Sequence, residues 1–279
     1  MSWEPSPREL ERRAVRKNLH RRGLLIAVAI TVVVGVALYF TITTSPGWPT
    51  FKEAFLNGYH ARKSFHAVFK GFWINVKMFL IAEPLILVVG ISVAIIRNTV
   101  TPWLTPVRIL AVIYTDVFRG LPTLLVVSIT CLGLPALNLT GVPTDLVVLG
   151  IFALVLCYGA YVAEVVRAGI DSIHPSQIAS ADALGLGRAQ TTRYVVLPQA
   201  LRRVAPPLLN DFVSLQKDTC LVAGVGVFET LLAATDYGNY NFNFTPFVVS
   251  GALFLVLTIP LARLTDYFGK RALLRERGR

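Results

Sequence analysis

Apolar residues in this chain fall into long runs rather than stripes. Six runs stand out, at about Leu24 to Thr43, Phe72 to Ile96, Leu110 to Leu134, Leu146 to Val166, Pro206 to Leu232 and Phe247 to Leu264. Runs of this length with almost no charge predict membrane helices, because about 20 residues cross the hydrocarbon core. The expected fold class is therefore an all-α polytopic membrane protein with about six transmembrane helices. Glu83-Pro84 interrupts the second run, and Arg119-Gly120-Leu121-Pro122 lies within the third. The only long internal polar stretch on the side that carries most of the Lys and Arg runs from Gly169 to Ala205. No soluble second domain, internal repeat or low-complexity tract interrupts this plan.

Charge orients the runs. The net charge is +11 although only 15% of residues are charged. The basic residues form no single patch, so no nucleic-acid partner is expected. They flank the apolar runs, as the positive-inside rule describes. A cytoplasmic N-terminus puts 22 of the 27 Lys and Arg on one side, and an even number of crossings returns the C-terminus to it. The other five, Lys52, Arg62, Lys63, Lys70 and Lys77, fall in or near the first outer segment. A surface-lying amphipathic helix from Phe51 to Phe69 would accommodate them. The resulting organisation is a basic tail over 1–23, an anchor helix over 24–43, an outer segment over 44–70, a core over 71–271 with its cytoplasmic loop at 169–205, and a second basic tail over 272–279. The first run is longer than the core of a cleavable signal peptide and reads as a signal anchor.

Several chemistries are excluded. There is no G-x-x-x-x-G-K-[ST], so the chain does not hydrolyse ATP through a P-loop. There is no G-x-S-x-G and no H-x-x-E-H, which argues against an intramembrane hydrolase. Cys131, Cys157 and Cys220 lie in apolar contexts without paired spacing and read as inert thiols. His20, His60, His66 and His174 form no ligand pattern, so no metal site is expected.

Polar groups inside the runs carry the remaining chemistry, because they are expensive there unless they face protein or a water-filled path. Asn210, Ser214, Lys217 and Asp218 share one side of a helix in the fifth run. They either line a path that offers donors to a carboxylate and acceptors to an ammonium, or lock helices together. Glu83 either meets a substrate ammonium or pairs structurally. Glu164 and Arg167, three apart, share a helix face, and Arg119 with Glu164 makes a gate pair or a structural ion pair.

The loop itself has local structure. Pro175 suits a first helical turn. Ile178, Ala181 and Leu184 make one apolar face, Gly185 and Gly187 end the short helix, and Pro198 is expected to break the helix that restarts at Arg188.

This loop resembles the "EAA" coupling loop of the membrane subunit of ATP-binding-cassette importers. Ala179-Ser180-Ala181 lead, Gly185 follows, and Val195-Val196-Leu197-Pro198 close it after nine further residues. Ser176-Gln177, Pro198-Gln199-Ala200 and Lys217-Asp218-Thr219 look like the polar-amino-acid uptake branch, and Tyr114 to Pro122 resembles its Y-x-E-x-F-R-G-T-P signature. Ala179 stands where the family has Glu, with Asp182 the nearest acid on the same helix, and Cys220 stands where it has Ser.

The resemblance implies a five-helix importer core, covering roughly Gly71 to Arg271, behind an added anchor helix. It implies a multi-pass location in a bacterial cytoplasmic membrane. Gln177, Ala179, Ser180, Ala181, Asp182, Leu184, Gly185, Leu197 and Pro198 would couple to a cytoplasmic ATPase dimer. ATP and Mg would sit on that ATPase, and this chain would bind no cofactor. A solute-binding protein would deliver a polar amino acid from outside to a path shared with a second, identical or sister, permease subunit. The rival readings are a secondary transporter or channel needing no ATPase, and a membrane scaffold or sensor.

Overall fold

The computed structural model describes residues 6–99 and 101–277, without the side chains of Ala14, Arg188, Ala189 and residues 270–277. The basic groups of Lys270, Arg271, Arg275, Arg277 and Arg279, which belong to the 22 counted on one side, therefore lie outside the described side chains. The chain divides into two compact units, Met1–Ala54 and Phe55–Arg279.

The first unit consists of α1 (Pro7–Thr43) and most of α2 (Trp48–Phe55). Ser6 caps α1 and Pro7 fills its first turn, where a missing N–H costs nothing. α1 continues without a break from its basic part into its apolar part, and none of its described residues is buried.

The second unit holds the core. Its first helix, α3 (Gly58–Asn98), has 41 residues. Asn57 caps it, its side-chain oxygen accepting from Tyr59 N and His60 N at 3.0 and 3.4 Å. The amphipathic helix expected over Phe51–Phe69 is thus two elements. Asn57 ends one and starts the other, and helix propensity carries α3 from Gly58 straight into the apolar run.

The third apolar run is not one continuous helix. A 3₁₀ turn (Pro102–Leu104) leads into α4 (Thr105–Gly120), and α5 (Thr123–Ser128) follows with a π turn (Ile129–Gly133) and α6 (Leu134–Ala136). The halves meet at 107°. Leu121 between them is extended, at φ −94° and ψ 140°. The cause is local, because a residue preceding proline is pushed out of the helical region.

The centre of the unit is α7 (Leu146–Asp171), capped by Asp145. Small residues bring its neighbours close. A Cβ on Gly150 would sit 2.7 Å from Val222, one on Gly159 2.8 Å from the Tyr114 hydroxyl, and one on Gly169 2.1 Å from Val204. α3 answers with Gly90, where a Cβ would sit 2.4 Å from Val162. Met78, Leu154, Leu215 and Val222 are fully buried around this seam.

After the loop helix α8 (Pro175–Ala183), a short α9 (Arg188–Thr191) runs through a π turn (Thr192–Val196) into α10 (Leu197–Asp218). Pro198 therefore does not break the chain. The π turn moves the bond of Leu197 N back to Thr192 O, which lets the helix pass the proline. A 3₁₀ stretch (Thr219–Val225) ends at Gly226, φ 91°. The path bends by 47° into α11 (Thr230–Asn241), so the fifth run is also broken. Glu229 caps α11, accepting from Leu231 N and Leu232 N at 2.8 and 2.9 Å. The last helix, α12 (Thr245–Arg277), extends well past its apolar stretch.

Among the described residues, four helices are long and apolar enough to cross a membrane, and counting each of the two bent pairs as one span gives up to six. The chain is an all-α, multi-span membrane protein, as its apolar runs predicted.

Candidate functional site

α8 is a nine-residue helix with both ends tied. At its start His174 Nδ1 accepts from Ser176 N at 3.2 Å. At its end Leu186 N donates to Ala181 O at 3.1 Å and Gly185 N to Asp182 O at 2.9 Å. This double closure needs a left-handed residue at the turn, and Gly185 supplies it at φ +78°. The expected common face of Ile178, Ala181 and Leu184 does not form. Ala181 alone packs inward, 3% exposed, while Leu184 is 81% exposed and Ile178 40%. Leu184 falls on the cap rather than in the helix, so it points away from the face that Ala181 buries. Gln177, Ala179, Ser180 and Asp182 are exposed, as are Leu197 and Pro198 at the start of α10. Gly187 opens α9 rather than closing α8, with its N–H donating to Gln190 Oε1 at 2.9 Å.

The loop is strapped to two membrane helices. Gln199 Nε2 on α10 donates to Gln177 Oε1 at 3.4 Å. Arg203 Nη1 donates to Ser172 Oγ at 2.9 Å and also to Ser172 O, joining α10 to the end of α7. Gly169 and Val204 are in tight contact at the same level. The end of α7, the start of α10 and, through Gln177, α8 are thus tied at one level.

Along α7, Glu164 does not pair with Arg119 alone. Its Oε2 accepts from Arg97 at 2.8 Å and lies 3.4 Å from Arg119, while Arg167 holds Oε1 and also pairs with Asp171. One carboxylate thus joins the last turns of α3 and α4 to α7. Arg97, 12% exposed, was not singled out from the sequence. Its partner lies 67 residues away, and no local pattern marks it.

The stripe on α10 is split between exposed and half-buried positions. Asn210 and Lys217 are exposed, and Ser214 and Asp218 half-buried. Asp218 accepts from the Tyr158 hydroxyl at 2.7 Å, a second long-range partner that was missed. Lys217 forms no ion pair among the described residues. Glu83 is half-buried on α3 and likewise meets no cation among them. The charged group bearing on it is another acid, Asp211 of α10. Phe79, one turn before Glu83, packs on Phe212 at 4.7 Å between ring centroids.

The profile of the family described as "Binding-protein-dependent transport system inner membrane component" matches residues 77–273. The chain belongs to that family. It is a transport permease and not itself a catalyst. Among its relatives, the arginine transport system permease protein ArtQ of Bacillus subtilis is 30% identical over 196 residues, 70% of this chain and 87% of that protein. The inner membrane amino-acid ABC transporter permease protein YhdY of Escherichia coli is 32% identical over 186 residues, 65% of this chain. The matched part spans half the length of YhdY. A crystal structure of an amino acid ABC transporter with histidines shares the fold at a TM-score of 0.68 and 27% identity, over 75% of this permease and 95% of that chain.

Gly185 gives a direct test of the strapped loop. Nothing lies within 4 Å of a Cβ at this position, so a side chain there meets backbone strain rather than a clash. Gly185→Leu is expected to cost about 1–2 kcal/mol locally and to abolish ATP-coupled uptake while thermal unfolding of the membrane helices stays unchanged. Gly185→Asn, which tolerates the left-handed region, should keep most of the uptake. Normal uptake by the leucine variant would remove this turn from the coupling.

Proposed function

We propose that this permease is the membrane subunit of an ATP-driven importer for a polar amino acid, working by alternating access. The observation that carries the reading is α8. It is a short helix, capped at both ends and tied through Gln177 to Gln199 of α10, with an exposed apolar tip at Leu184. Such a knob suits the groove of another protein, and the chain has no nucleotide motif of its own.

In this mechanism a cytoplasmic ATPase dimer, carrying ATP and Mg, grips residues 171–198. Its closure moves α8 and, through Arg203–Ser172 and Gly169–Val204, shifts α7 and α10. Arg119 and Glu164 then sit where the bend after α4 meets α7, the position of an inner gate. Asn210, Ser214, Lys217 and Asp218 line the path shared with a second permease subunit, and Glu83 on α3 belongs to the same path. The relatives named for amino acids and for arginine support this cargo class. Asp182 serves as the acid of the coupling helix, since Ala179 cannot. Both termini and the loop over 169–205 lie in the cytoplasm, on the side favoured by Lys and Arg.

Reconstitution of the permease with its ATPase and binding protein tests the proposal. Uptake of labelled polar amino acids is expected only with hydrolysable ATP, and the purified permease alone is expected to show no ATPase activity. Uptake that proceeds without nucleotide or without an ATPase subunit would favour a secondary transporter and overturn the reading.

A further inference from the structure

Two opposite charges lie bare inside the apolar runs. Asp116 of α4 falls in the third run and Lys217 of α10 in the fifth, and both are exposed. A charge at membrane depth is expensive unless it meets protein or a water-filled path. Neither forms an ion pair among the described residues. The charged groups beside them on the same helices are engaged elsewhere. Arg119, one turn after Asp116, lies 3.4 Å from Glu164. Asp218, next to Lys217, accepts from the Tyr158 hydroxyl at 2.7 Å.

Both charges are turned away from the contacts their helices make. Tyr114 donates to Leu156 O of α7 at 2.7 Å, and Asp116, two residues on, is about 160° round the helix from it. On α10, Gln216 accepts from Thr258 of α12 at 2.6 Å and Asp218 meets α7. Lys217 stands about 100° from each of them.

The two charges also lie at one depth. α4 runs parallel to α7, with Tyr114 at Leu156 and Arg119 at Glu164. α10 runs antiparallel to it, with Asp218 at Tyr158 and Arg203 at Ser172. By that register Asp116 and Lys217 both fall at about the level of Gly159, within a turn of each other. That level is about 18 Å from the end of α7 at Asp171, well inside a hydrocarbon layer about 30 Å thick.

Equal depth decides the occupant. Lipid tails offer no counter-charge, whereas a second copy of this chain offers both. A two-fold axis along the membrane normal brings together residues of equal depth and makes every contact reciprocal. Two exposed, opposite and equally deep charges on one chain can therefore answer each other twice across such an axis. Ile113 and Val117, exposed beside Asp116, supply apolar area to the same contact.

We propose that this permease pairs with a second copy of itself, Asp116 of each copy meeting Lys217 of the other. The pairing rests on the shared path of the importer reading and names its partner as an identical chain rather than a sister subunit.

The test co-expresses two differently tagged copies of the full chain and reads how much of one copy the other retains in mild detergent. Asp116→Lys puts two lysines at the contact, and Lys217→Asp puts two aspartates there. Each variant is expected to self-associate at least about tenfold less than the unmodified chain, because like charges facing each other across an interface repel strongly. Expressed together, the two variants are expected to associate normally, since the mixed pair restores both contacts. A pair formed within one chain could not be rescued in this way. Self-association of both variants at the unmodified level would overturn the proposal. So would failure of the mixed pair to recover while each variant keeps the thermal unfolding of the unmodified chain. A second measurement avoids charge reversal and serves if a reversed chain misfolds. Asp116→Cys on one copy and Lys217→Cys on the other, in a background lacking the native cysteines, should be joined by a short bifunctional maleimide, whereas two Asp116→Cys copies should not. No mixed cross-link between folded copies would overturn the pairing. An unmodified chain that takes up substrate with ATP but associates only with a different permease chain would overturn it too and leave the importer reading intact. Self-association with uptake that needs no ATP would remove the importer reading and leave the pairing.

Discussion

Glu164→Gln is expected to destabilise the folded permease by about 3 kcal/mol, the lower end of the cost of breaking a buried ion pair. The lower end applies because Glu164 is 20% exposed and Arg119 40%. The loss falls unevenly on the three arginines. Arg167 retains Asp171, and Arg119 is solvated enough to tolerate isolation. Arg97 has no other carboxylate among the described residues and is nearly buried, so it becomes an uncompensated charge. Adding Arg97→Gln should therefore recover roughly 1–2 kcal/mol of the loss. Thermal unfolding of the purified complex measures both variants. Equal stability of Glu164→Gln and the unmodified chain would show that the cluster is held by the surrounding helices and not by its charges.

The second large effect comes from a single methyl group. A Cβ on Gly71 would lie 2.5 Å from Glu229 C, 2.6 Å from Thr230 N and 2.7 Å from Glu229 O. All three are backbone atoms, so no side chain can swing aside. α3 must move away from the start of α11, and the move stretches the bonds of Thr230 to Val68 and Asn75. Gly71→Ala is expected to cost about 3 kcal/mol, the upper end for overpacking, and to lower the yield of folded complex. Gly251→Ala is the control. Nothing lies within 4 Å of a Cβ there, and its stability should change by no more than about 0.5 kcal/mol. Equal tolerance of the two alanines would mean that the α3–α11 contact opens freely.

What could be read from the sequence depended on how local its cause is. The apolar runs announce membrane helices because composition alone determines them, and the coupling loop announces itself because its turn chemistry is local. Gly185 is the clearest case, since a left-handed cap selects its residue type. The bend at Leu121 also has a local cause in Pro122, but its angle depends on how α5 packs. Pro198 misleads in the other direction. A proline breaks an ordinary helix, and only the preceding π turn, which has no sequence mark, lets the chain continue. The extent of α1, α3 and α12 beyond their apolar runs was hidden because polar helix formers keep a helix going without any change in hydropathy. Arg97 and Tyr158 were out of reach for a different reason. Each is defined by a partner at least 60 residues away.

The π turn at Thr192–Val196 has a geometric consequence for the whole of α10. Each residue advances an α-helix by about 100°, so one extra residue in the turn offsets the azimuth of everything after it by that amount. Removing any single residue between Gly187 and Pro198 would swing Asn210, Ser214 and Lys217 about a quarter-turn away from their present bearing. The permease can therefore vary what these positions are far more freely than how many there are. Nine residues separate Gly185 from Val195, and that interval behaves as a measured length that sets which way these side chains of α10 face.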